Sequence, residues 1–172
     1  MELAHGRDSS EVTPYRPVKS VSSETTLDRN TRDRELIITH LLEQAQSVAR
    51  QLRRHEVRAR TVTLKLKTAD FQLHTRSHTL SKPVQDSESI YQTALKLLGT
   101  FALKEPIRLV GLGAGGLQPL SMPVQCDLFS ESDFNQQGKW EKIEKAVDAI
   151  AGRFGGHAVV RGRLTSSDPE KK

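Results

Sequence analysis

What this 172-residue sequence lacks narrows it early. Cysteine occurs once, at Cys126, so an intrachain disulfide cannot form and a cysteine-rich zinc site is excluded. Aromatic residues make up 5% of the chain, and Phe71 alone falls on the strands predicted below. RNA-binding sheets of similar topology usually stack bases on aromatics of their central strands, so that class stands only as a third alternative. No apolar run approaches a membrane span, and Met1-Glu2-Leu3-Ala4-His5-Gly6 lacks the basic and apolar regions of a signal peptide. An intracellular, cytoplasmic chain with no membrane partner is expected. No internal repeat is visible.

Positive charge is present in excess, and it is concentrated. The net charge is +5, yet between Arg50 and Lys82 nine Lys or Arg stand against Glu56 and Asp70, a local excess of seven. The remainder is slightly acidic. Within that stretch Val62, Leu64 and Leu66 alternate with Thr61, Thr63, Lys65 and Lys67, which predicts a strand with one apolar face and one basic, hydroxyl-rich face. Such a face suits phosphate oxygens without reading a base edge, so a nucleic-acid backbone is the first partner to consider.

The order of elements follows from the pattern. Val18 to Leu27 reads as a strand. Ile37, Leu41, Ala45, Val48 and Leu52 then recur at helical spacing after a cap at Asn30 or Asp33, and that helix ends near His55. Strands are predicted from about Arg58 to Thr68 and from Phe71 to about Leu80, joined as a hairpin through Ala69-Asp70. Phe71 and Leu73 share an inward parity that Leu80 lacks, so a bulge between them is expected. Asp86 caps a second helix carrying Ile90, Ala94, Leu97, Leu98 and Phe101, and Ile107 to Gly113 is the last strand. The fold class is α+β, a β-α-β-β-α-β four-stranded sheet with two helices on one face, plus a C-terminal extension. In that extension Trp140, Ile143, Val147, Ile150 and Phe154 mark one face of a third helix stopped by Gly155-Gly156. This stripe docks either on its own domain or on a partner. Ala158-Val159-Val160 is expected to extend as a short strand.

Most chemical motifs fail on context. Gly111-Leu112-Gly113-Ala114-Gly115-Gly116 fits a dinucleotide pattern, but Pro119 and Pro123 follow where a helix is needed, so the glycines read as a strand ending in a turn. His74 and His78 share a strand face without a third ligand, so no metal site is expected. No catalytic residue is assigned. One linear motif remains, Gln125-Cys126-Asp127-Leu128-Phe129, whose adjacent Leu and Phe in a Pro-bounded segment suit a hydrophobic pocket on another protein.

Five blocks in order carry a family resemblance: Lys19-Ser20-Val21-Ser22, Ala59-Arg60-Thr61-Val62-Thr63-Leu64-Lys65, Ala69-Asp70-Phe71, Thr75-Arg76-Ser77 and Ile107-Arg108-Leu109-Val110-Gly111. Together they resemble the little-finger domain of Y-family DNA polymerases of the DNA polymerase IV type. Leu3 to Asp8 resembles the end of the preceding thumb domain, Lys139 to Gly162 a C-terminal extension of some members, and Gln125 to Phe129 the family's sliding-clamp peptide, with Cys126 in place of Leu. The resemblance implies a non-catalytic module that grips template-primer duplex and tethers a translesion polymerase to its clamp. Lys19, Ser20, Ser22, Thr75, Arg76 and Ser77 would meet phosphates, with Thr61, Thr63 and Lys65 in support; which of Thr75 and Arg76 faces DNA stays open. Gln125, Asp127, Leu128 and Phe129 would meet the clamp. The family's Mg²⁺ ions are held by a palm domain, absent from this chain, so no cofactor is expected here, and polymerisation would belong to a longer parent. Expected partners are duplex DNA, the clamp and the rest of the polymerase, in a bacterial cytoplasm. The organisation expected is a linker over 1–16, the DNA-binding domain over 17–117, an extended linker over 118–138, a helical extension over 139–164 and a disordered tail over 165–172. The alternative is a protein-interaction adaptor that uses the Gln125 to Phe129 peptide and the last helix without binding DNA.

Overall fold

In the computed structural model the described residues are 5, 6, 11, 17–123, 131–156, 158–162 and 164, and for 131–137 the backbone alone is described. The elements run β1 (Val21–Thr31), α1 (Arg34–Arg54), β2 (Val57–Thr68), β3 (Leu73–Val84), α2 (Ser87–Gly99), β4 (Ile107–Gly115), β5 (Gln118–Pro119) and α3 (Glu131–Phe154). Two aspartates open the first two helices. The Asp33 carboxylate accepts from the N–H groups of Glu35 and Leu36, and Asp86 accepts from Ser89, which satisfies donors that a first turn leaves without partners.

The sheet order is β1-β4-β2-β3 with every pair antiparallel, and two-residue β5 continues beside the start of β2. β4, last of the long strands in sequence, lies between β1 and β2. α1 and α2 are the crossovers that make this order possible, and both pack on one side of the sheet. Ile37, Leu41, Val48 and Leu52 of α1 and Ile90 and Leu98 of α2 meet Val62, Leu64, Leu66, Val110 and Leu112 in one buried core. The β-α-β-β-α-β reading is therefore correct in element order and in layering.

Several local expectations are corrected. β1 begins at Val21 rather than Val18 and continues to Thr31. β3 begins at Leu73, and its pairing with β2 is regular from Leu73 to Thr79; the irregularity lies between Thr79 and Val84. There Pro83 has no N–H to give the ladder, and the Arg60 guanidinium takes the Leu80 and Ser81 carbonyls. Phe71 is not on a strand and does not point inward: it sits in the hairpin turn at φ +66° and is 61% exposed. Leu73 is 53% exposed, because its pairing opposite Lys67 puts it on the side of the sheet that the helices do not cover. Residues 158–160 are exposed, with a bend at 158 and 159, and form no strand.

α3 begins at Glu131, inside the expected linker, and ends where Gly155 takes a positive φ of 93°. It docks on its own domain, but by its acidic edge. Glu144, 7% exposed, is paired with Arg53 of α1 and accepts from the Ser87 N–H at 2.8 Å and from the Ser87 hydroxyl at the start of α2. Asp148 takes Arg53 Nε at 2.6 Å. Arg161 closes the cluster, reaching Glu88 at 2.9 Å and Ser87 Oγ at 2.8 Å with its guanidinium over the Trp140 ring. The apolar stripe is only partly covered: Trp140 and Val147 are half-buried, whereas Ile143 is 52% and Phe154 69% exposed. Replacing Arg53 by Ala leaves the Glu144 carboxylate buried without its main counter-charge, a loss of about 3–5 kcal/mol to this docking. Hydrogen exchange will then show amides of 140–154 losing protection while those of β2 and β4 keep theirs.

Candidate nucleic-acid interface

The side of the sheet away from α1 and α2 is built from four cross-strand rows. The strand pairings give Thr79, Thr61 and Gly115 in the first row, and Ser77, Thr63, Gly113 and Ser22 in the second. Thr75, Lys65, Gly111 and Glu24 form the third, and Leu73, Lys67, Leu109 and Thr26 the fourth. Antiparallel pairing puts directly opposed residues on one side of the sheet, so every strand contributes to this surface. Hydroxyls dominate the middle rows, and the Thr61 and Thr79 hydroxyls lie 3.2 Å apart. Ser22 is tied from behind, where Gln51 of α1 donates to its carbonyl at 3.4 Å.

The glycines of β4 are part of this face and not the end of the strand, which corrects the turn reading for Gly111 and Gly113. Gly111 and Gly113 alternate with Val110, Leu112 and Ala114, whose side chains enter the core. Above Gly111, Lys65 Nζ meets Glu24 Oε2 at 2.7 Å, so an ion pair joins β2 to β1 across the strand between them. A Cβ at Gly111 would stand 3.0 Å from Glu24 Cβ and 3.5 Å from Lys65 Cβ. Sequence reasoning missed Glu24; the run Lys65, Gly111, Glu24 has meaning only once the strand order is known.

The structure brings together Ser22, Thr61, Thr63, Lys65, Thr75 and Ser77 as expected, and separates Arg76 from them. Arg76 pairs opposite Leu64, on the helix side of the edge strand, where its guanidinium lies 4.5 Å from the centre of the Phe101 ring. Thr75 is the residue on the open face. Lys19 and Ser20 are exposed in the chain leading into β1. The basic run is also divided by the fold: Arg50 and Arg53 pair with Asp148, and Arg58 lies 4.0 Å from Glu141, so these cations serve α3. Lys67 and Arg108 lie 4.9 and 5.0 Å from the Phe71 ring at the hairpin tip. In that turn the Thr68 hydroxyl bonds Asp70 and holds its carboxyl below the usual range. Gln125, Asp127, Leu128 and Phe129 lie outside the described residues. Among the described residues no three His, Cys, Asp or Glu side chains are placed to hold a metal ion, and no helix is long and apolar enough to cross a membrane.

The sheet is antiparallel, with helices on one side and hydroxyls, glycines and lysines on the other, an α+β domain with one open face. Residues 18–128 match the C-terminal domain of the impB/mucB/samB family, and the chain belongs to that family. Its similar curated relatives carry the name DNA polymerase IV. The one from Caulobacter vibrioides is 38% identical over 162 residues, covering 94% of this chain and 39% of that protein. The one from Brucella melitensis is 35% identical over 160 residues, covering 93% of this chain and 35% of that protein. The chain thus spans roughly two-fifths of the length of these relatives. Its fold is that of a little-finger domain: the little finger of PolIV, solved in complex with the beta-clamp processivity factor, aligns at TM-score 0.50 and 24% identity over 64% of this chain and 98% of that one. A post-insertion binary complex of Dbh DNA polymerase aligns at TM-score 0.52 and 17% identity over 69% of this chain and 34% of that one.

Gly111→Ala will destabilise the domain by about 1–3 kcal/mol in denaturant titration, because the new methyl group meets the stems of both ion-pair partners. Gly113→Ala, whose nearest neighbour would be Thr63 Cβ at 3.8 Å, will leave stability unchanged or raise it slightly.

Proposed function

We propose that the open face grips the sugar-phosphate backbone of duplex template-primer DNA and so holds a translesion polymerase, of which this chain is the C-terminal part, on its substrate. The observation that carries this reading is the row pattern: all four long strands put Ser, Thr, Lys or Gly on one surface. Hydroxyls and ammonium groups bond phosphate oxygens without regard to sequence, which suits a polymerase that works opposite any damaged base. β1 and β3 are edge strands, so alternate backbone N–H groups point out of the sheet as further donors beside Ser22, Thr75 and Ser77. Glycines along β4 keep the middle of the face low, so a phosphate chain can approach the backbone. Lys19 and Ser20 extend the surface ahead of β1, and Arg76 meets phosphates only beyond the edge of β3. The names of the relatives and the match to polymerase folds support the same assignment.

Polymerisation, on this reading, is the work of a palm domain in a longer parent, whose carboxylates would hold Mg²⁺; the present residues supply grip, and no metal is assigned to them. Gln125, Asp127, Leu128 and Phe129 supply the tether to a sliding clamp, as the complex formed by the PolIV little finger suggests. The working location is the bacterial cytoplasm, at DNA.

Fluorescence anisotropy with a labelled primer-template duplex tests the grip. Binding will fall steeply as salt rises, independent of sequence, and Lys67→Ala will reduce the slope of log K against log salt by about one. An affinity that ignores salt, or that follows base sequence, would overturn the assignment. The tether is tested separately: Leu128→Ala with Phe129→Ala will abolish retention on an immobilised clamp and leave duplex binding as it was.

A further inference from the structure

Lys65 stands in the middle of the open face with Thr63 and Thr75 on either side, yet its ammonium is already engaged. Glu24 reaches it over Gly111 and holds it at 2.7 Å. Glu24 is also the only acidic side chain in the four rows that form the face among the described residues. Its carboxylate presents to Lys65 the same kind of oxygen that a phosphate would. Both partners keep substantial solvent exposure, and an exposed ion pair of this kind is weak and opens readily.

We infer that Glu24 is an internal counter-ion, which a DNA phosphate must displace before Lys65 can take part in the grip. This rests on the duplex-binding reading and adds to it a means by which that binding is held down. The Lys65–Glu24 pair is neutral overall, so when Lys65 takes a phosphate the freed carboxylate stays beside it, repels the incoming backbone and offsets the cation release from DNA that an unpaired lysine would give. Duplex binding is therefore weaker and less salt-dependent than the number of cations on the face implies. The gain for a polymerase domain is exchange: as the duplex advances by one base pair, Lys65 returns to Glu24 instead of following the phosphate it leaves. Gly111 belongs to the same device, since a side chain at that position would separate the pair.

The test is duplex anisotropy across a salt series with the whole chain carrying Glu24→Gln, Glu24→Thr, Lys65→Gln, or Glu24→Gln together with Lys65→Gln. Thermal melts of each confirm folding, and the Thr variant, matching the β-branched neighbours on β1, stands in if Gln destabilises the strand. Both Glu24 substitutions are expected to tighten binding roughly three- to tenfold and to steepen the salt slope by about one, and the added Lys65→Gln to cancel the gain. Folded Glu24 variants that bind as the wild type does, or more weakly, would overturn the inference and make Glu24 a positioning residue for Lys65. Absence of salt-dependent duplex binding in the wild type and in every variant would instead overturn the duplex-binding reading on which the inference rests.

Discussion

The structure depends on β4 being two surfaces at once. Its inward residues Val110, Leu112 and Ala114 are fully desolvated between the helices and the neighbouring strands, and its outward residues after Leu109 are glycine at 111, 113 and 115. Because β4 is the inserted strand, everything on β1 that acts together with β2 must act across it. A full-sized outward side chain at 111 would divide the open face into two halves. Glycine lets Glu24 and Lys65 meet over the strand, and it leaves a shallow floor between hydroxyls contributed by β1, β2 and β3. Strand order, core packing and surface chemistry are thus fixed by one nine-residue segment.

The basic character of the chain serves two purposes, which the fold keeps apart. Arg50, Arg53 and Arg58 turn toward α3 and hold its acidic edge, while Lys65 and Lys67 stand on the opposite side of the sheet. Buried charge in the first group is compensated several times over: Glu144 receives Arg53, Arg161 and two donors from Ser87. That arrangement fixes where α3 sits more tightly than apolar packing of a smooth stripe would, since each donor has one acceptor position. It also places the helix against α1 and α2, behind the sheet, where it does not obstruct the open face.

Much of this was legible in the sequence, for identifiable reasons. Strict alternation in Thr61 to Lys67 and helical spacing from Ile37 to Leu52 fixed the layers, because burial enforces periods of two and of 3.6 residues. Asp33 and Asp86 marked the helix starts through the unsatisfied donors of a first turn. Parity failed for Phe71 because it lies in the turn and not on the strand, and for Leu73 because an apolar residue was taken as inward when it stands on the open side; Leu80, of the other parity, is the one that packs against the core. The Trp140 stripe was informative in part: Trp140 and Val147 are half-buried against the domain, but Ile143 and Phe154 stay exposed, and the closest docking contacts are the ion pairs of Glu144 and Asp148, which spacing of apolar residues does not reveal. Glu24 was invisible because its significance comes from a partner forty-one positions away across an intervening strand. The family resemblance rested on five blocks that now lie at the start of β1, on β2, β3 and β4 and in the hairpin turn, which is why it survived errors in strand boundaries.

Whether DNA meets the open face of the sheet is read from amide chemical-shift mapping of the ¹⁵N-labelled chain titrated with a short primer-template duplex. Perturbations are expected at Ser20, Ser22, Thr63, Lys65, Thr75, Ser77 and the glycines of β4, with α1, α2 and α3 quiet. Shifts confined to the helices, with the open-face amides unmoved at saturating duplex, would contradict that placement.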